Sequence, residues 1–173
     1  AKNSKWVSPV PDPRLGKGKT FTLSKDLNTE ETAVLVDETT KDMSTLTAFL
    51  VTNSVTLQID NELIVYSDID KKAPYAFTKC KRGAWGTKAA AHSKNAKVSH
   101  LKELFGLFNV EGDSTLFTEV IKQTADVYNQ CGFDMIYLDA IDGASSLSGK
   151  HSASYYQGKF VFDLCKELKK PAL

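Results

Sequence analysis

At 173 residues, with 42% hydrophobic and 25% charged side chains, the chain has the composition of one or two small globular domains rather than of a disordered segment. Its 22 Lys and Arg against 21 Asp and Glu leave a net charge of +1, so no global field favours nucleic acid, anionic lipid or a polyanionic substrate, and nucleic acid is not an expected partner. The apolar runs, such as residues 135–138, and the stretch at 160–164 that Asp163 interrupts are far below the roughly 20 residues that cross a bilayer, so no membrane span is expected.

Residues 1–18 contain three prolines and two glycines, which predict an extended entry segment that Trp6 could anchor. Residues 19–100 then read as a small all-β module. Residues 20–23 and 32–36 are β-branched and apolar. Residues 55–59 alternate with period two, Asp60 and Asn61 make a turn, and residues 62–66 return, the pattern of a tight hairpin. Residues 76–82 add a strand after a loop at residues 71–74, and the spacing predicts a small β-barrel or sandwich.

Beyond His100 the period changes. Asp113 or Ser114 can cap a helix in which Phe117, Val120, Ile121, Thr124, Tyr128 and Cys131 recur at three- and four-residue steps until Gly132 ends it. Met135, Ile136, Tyr137 and Leu138 follow as an all-apolar strand, expected to be covered on both faces. A Gly/Ser loop at residues 143–149 leads to a second helix over 152–169, with Tyr156, Phe160, Leu164 and Leu168 on one stripe. Residues 104–108 are expected as an earlier strand of the same sheet. The pattern is βαβα, and the fold class is α+β overall: a β-module at residues 19–100, then at residues 101–173 the opening units of an incomplete (β/α)8-type barrel. The last residues read as a helix end, a Pro171 turn and the start of a further strand, so the chain is expected to continue beyond Leu173. Its start at Ala1, without Met or a signal-peptide pattern, fits a mature secreted form or a piece of a longer chain.

Cys80, Cys131 and Cys165 lack zinc-ligand spacing, and neither a GxGxxG frame nor a P-loop occurs, so no metal or cofactor is expected. Cys131 and Cys165 fall on predicted apolar helix faces and read as buried core. Ser145, Ser146 and Ser148 lack a GxSxG elbow and read as loop rather than as nucleophiles.

The best site candidate is the exit of the strand at residues 135–138, because α/β folds gather catalytic groups at the carboxyl ends of strands. Asp139 and Asp142 stand there. As catalytic groups they would supply the acid, base or nucleophile of an acid/base reaction; as structural ones, Asp139 would cap the loop and Asp142 would sit in an Asp-Gly turn. His151 and Tyr155, at the start of the second helix, are candidate substrate contacts, the ring of Tyr155 being able to stack on a sugar. His151 also reads as an ordinary surface histidine. In the β-module, Glu62, Arg82, Trp85 and His92 form either a binding patch with Trp85 exposed or, the preferred reading, a buried Arg82–Glu62 pair beneath tight turns at Gly83 and Gly86.

Residues 22–23, 31–34, 59–66 and the motif running from Cys80 to His92, RGxxGT…AxxH, resemble a small β-module found beside phage-tail domains and in large bacterial carbohydrate-active proteins. Asn95 stands where that module usually has glycine, and Asn tolerates the left-handed backbone the turn needs. Residues 108–143, with "CGFDMIY" and an Asp at the strand end, resemble barrel regions of secreted polysaccharide-degrading proteins of gut Bacteroidetes type, and more loosely retaining glycoside hydrolases. The resemblance implies a secreted, periplasmic or cell-surface carbohydrate-active enzyme, a glycoside hydrolase or a polysaccharide lyase. Its partners would be a polysaccharide or oligosaccharide and the rest of the parent chain. On that reading Asp139 and Asp142 are catalytic, the second essential carboxylate lies beyond Leu173, and these 173 residues alone are inactive. The alternative is a non-catalytic carbohydrate-binding or phage-tail-like adhesion module acting through the β-domain.

Overall fold

The computed structural model describes residues 12–139, 141 and 150–172. Trp6, Asp142 and the serines at 145, 146 and 148 lie outside the described residues. The chain is mixed α+β and divides into two compact units, Ala1–Asn109 and Val110–Leu173.

The first unit is built from antiparallel sheets. Strand β1 (Lys17–Thr22) pairs with β7 (Lys97–Leu101), β7 with β3 (Thr56–Ile59), and β3 with β4 (Glu62–Val65), giving the order β1-β7-β3-β4. A second sheet orders β2 (Val34–Leu35), β6 (Ala76–Thr78) and β5 (Asp68–Asp70) as β2-β6-β5. Among the described residues these strands do not close into a barrel. Both sheets instead face one core, in which Phe21, Leu57, Ile59, Ile64 and Val98 from the first meet Val34 and Phe77 from the second. Phe21 stands edge-on to Phe77 with ring centroids 5.1 Å apart.

The expected hairpin is present, with Ile59 opposite Glu62 and Asp60 at φ 50° in the turn. Its simple alternation is not. All four residues of β3 are buried, the polar pair Thr56 and Gln58 as well as Leu57 and Ile59. Asn95 adopts φ 72°, the left-handed conformation its turn requires. The predicted strand at 76–82 stops at Thr78, since Lys79 at φ 52° bends the backbone out of the ladder. Residues 104–108 are not an early strand of the second unit: β8 (Glu103–Leu104) and β9 (Leu107–Phe108) pair with each other around Phe105 and Gly106, both at positive φ.

The second unit holds helices α1 (Thr115–Cys131) and α2 (Lys150–Glu167). Ser114 caps α1, its hydroxyl accepting from the amide of Phe117, and Gly132 ends it at φ 70°. Ile121, Ala125 and Leu164 form the centre of the helix pair, with Phe117, Phe160 and Leu168 around them. The carboxyl ends are tied together: Asn129 donates to the carbonyl of Glu167, and Tyr128 to that of Pro171. Cys131 and Cys165 are exposed, contrary to the expectation from helix periodicity, because the shared stripe of the two helices is narrower than the apolar pattern of each. Neither helix is long and apolar enough to cross a membrane.

The segment expected as a strand covered on both faces differs most from expectation. Residues 135–138 are neither helix nor strand and belong to no ladder among the described residues. Ile136 and Leu138 pack on the helix core, while Met135 and Tyr137 are 66% and 80% exposed. The period is that of a strand, and one face alone is covered.

Candidate functional site

Two places hold the residues singled out above, one in each unit. In the first, the turn between β6 and β7 is held by a buried ionic network. Arg82 gives Nε and Nη2 to the two carboxylate oxygens of Glu62, both at 2.8 Å, and its remaining donors reach the carbonyls of Asn28, Glu31 and Ala90. Glu62 is wholly enclosed and also accepts from the amides of Gly83 and Ala90. His92 completes the group, one ring nitrogen 2.9 Å from Glu62 and the other 2.8 Å from Asp60. Burial alone would raise the carboxyl of Glu62; the Arg82 guanidinium, the two amides and the His92 ring outweigh it and hold the group down at about 2. A carboxylate saturated in this way has no lone pair left for a substrate. The Arg82–Glu62 pair is therefore structural: it fastens residues 28–31, 62 and 82–92 to one another.

What this clamp presents is Trp85. Gly83 and Ala90, both bonded to Glu62, bracket the turn, and the Thr87 hydroxyl accepts from the amide of Leu63 while donating to the carbonyl of Ala84. Gly83 is required here, because at φ 57° an added Cβ would also lie 2.9 Å from the amide nitrogen of Ala89. Trp85 itself sits at φ 57°, left-handed and costly for a bulky side chain, and is 55% exposed. Phe108 of β9 is its ring neighbour, edge-on at 6.3 Å. The sequence marks the Trp through its flanking glycines but carries no sign of Phe108, or of Asp60 as a His92 partner, since both are brought by pairing with distant residues.

In the second unit, Asp139 ends the extended segment and is exposed. It shares the parity of Met135 and Tyr137, so it belongs to the face turned away from the helices. His151 and Tyr155 lie one turn apart on α2, both exposed, on the same side of the helix. No hydrogen bond or ion pair joins Asp139, His151 and Tyr155 among the described residues, and no group of three or more His, Cys, Asp or Glu is placed to hold a metal there. Tyr156 is a packing residue: its ring lies beside Phe117, and its hydroxyl bonds Asp113 at 2.6 Å, which pushes the phenol up to about 12.

No family model matches the chain, and neither the curated proteins nor the solved structures contain a match to it.

Proposed function

We propose that this chain carries the β-module and one rim segment of a carbohydrate-active protein that cleaves glycosidic bonds, with Asp139 as a catalytic or sugar-binding carboxylate. The observation that carries this reading is the alternation along residues 135–139. Ile136 and Leu138 pack on the helices, whereas Met135, Tyr137 and Asp139 between and beyond them are exposed. In a (β/α)8 barrel each strand turns alternate residues outward onto its helices and inward to the barrel, and the residue at its carboxyl end reaches the mouth. By its parity with Met135 and Tyr137, Asp139 would be such a mouth residue.

Glycosidic cleavage needs one carboxyl group to protonate the leaving oxygen and another to act on the opposite side of the sugar, directly or through water. Asp139 would be one of the two. Asp142 is retained beside it on the sequence alone, and His151 and Tyr155 would meet the sugar from the amino end of α2.

The test is reducing-sugar release from a panel of polysaccharides by the product of the whole reading frame. Activity lost in Asp139→Asn, with the melting temperature unchanged, supports the reading. An Asp139→Asn variant that cleaves at the wild-type rate overturns it.

A further inference from the structure

We infer that the Trp85 turn of the β-module is a second, separate carbohydrate site, in which the open face of the indole stacks on the apolar face of a pyranose ring. The inference rests on the carbohydrate reading above but on different residues. Its first support is conformational. A tryptophan at φ 57° holds a left-handed backbone that a glycine would adopt at lower cost, and the turn already has glycines at 83 and 86. Strain of this kind persists only where the surroundings over-determine it, and here they do: Glu62 fixes Gly83 and Ala90, Arg82 fixes Ala90, and Thr87 fixes Ala84 and Leu63.

The second support is exposure. The indole is 55% exposed, so its area is not spent on the core that the clamp protects. Phe108 stands at 87° to it, an edge-on contact that engages at most one indole face.

Scale selects the partner. A protein interface needs on the order of 1,000 Å² of buried surface. The chain that follows Trp85 is exposed Gly86 and Lys88, half-buried Thr87 and three exposed alanines at 89–91, small or polar groups without a further large apolar side chain. One rigid, flat aromatic face matches a sugar ring, which presents C–H groups on one face and hydroxyls at its edge.

The strain makes the test sharp. Affinity electrophoresis of the full chain through gels containing soluble β-glucan, xylan, galactomannan or pectin is compared for wild type, Trp85→Gly and Trp85→Phe. Wild type is expected to be retarded by at least one of the four, and Trp85→Gly to bind that polymer weaker by about tenfold or more. The melting temperature of Trp85→Gly should equal or exceed that of wild type, since strain is relieved and no core contact is lost; Trp85→Phe, which keeps a ring, should retain more of the binding. Retardation that survives Trp85→Gly overturns this inference alone and leaves Asp139 untouched. A fall in melting temperature together with the loss of binding also overturns it, by making Trp85 a packing residue. Wild type unretarded by all four polymers overturns this inference, and reducing-sugar release with Asp139→Asn decides the cleavage reading separately.

Discussion

Glu62 and Asp139 are both carboxylates beside extended segments, and they differ in everything that follows from their surroundings. Glu62 is enclosed and accepts from Arg82, His92 and two amides. Asp139 is exposed and has no hydrogen bond or ion pair among the described residues. The first is a fastening: moving or protonating it releases three segments of the β-unit at once. The second fastens nothing among the described residues. The same contrast separates the two units. One spends its polar groups on holding a turn rigid; the other packs Ile136 and Leu138 on its helices, ties Asp134 to Lys170, and leaves Met135 and Tyr137 exposed.

The sharpest way to break this contrast is Glu62→Ala. It leaves the nearly enclosed Arg82 guanidinium without its carboxylate, and the cost should be about 3–5 kcal/mol, read as a large fall in the urea midpoint of the β-unit. A change below about 1 kcal/mol would mean that the network is ornamental. The same group sets an acid limit. Because its folded pKa is depressed from 4.5 to about 2, the native state binds the proton more weakly than the unfolded chain does. Its stabilisation is present above about pH 4.5 and is lost as the pH falls through 2. Urea midpoints measured between pH 5 and 2 should fall for wild type and be flatter for Glu62→Gln.

In the second unit, a Cβ on Gly112 would come within 2.4 Å of the Tyr156 ring, which Asp113 holds in place. Gly112→Ala should therefore cost about 1–3 kcal/mol, read by thermal melting followed at the helical circular dichroism band. Ser114→Ala, which removes the cap of α1, should cost about 1 kcal/mol in the same measurement. The smallest effect concerns the bare face. Tyr137→Ser should change stability by less than about 0.5 kcal/mol, whereas Ile136→Ala should cost measurably more. Equal losses from the two would show that residues 133–139 are covered on both sides, and the comparison with the β-unit would fail.

Local features were legible in the sequence because they depend on near neighbours. The Asp60-Asn61 hairpin, the Ser114 cap, the Gly132 stop and the left-handed Asn95 each follow from backbone preferences of a few residues. The Arg82–Glu62 pair was legible too, as two opposite charges beside tight turns. The exposure of Cys131 and Cys165, the separate β8–β9 hairpin and the half-covered segment at 135–138 were not, because apolar character tells that a side chain prefers burial without telling whether a neighbour arrives to bury it.

By itself the sequence determined the α+β class, the succession of a β-rich stretch and a helical one, and the residues that terminate each element, since periodicity and backbone conformation are properties of short stretches of chain. Only the tertiary structure decided which side chains were used up and which were left open. Glu62 was consumed by partners 20 to 30 residues away in the chain, while Trp85 was pushed outward on the turn those partners hold. Asp139 was left facing away from the helices that its own neighbours bury against. Burial and saturation of a polar group depend on packing between distant segments, and no local pattern contains that information.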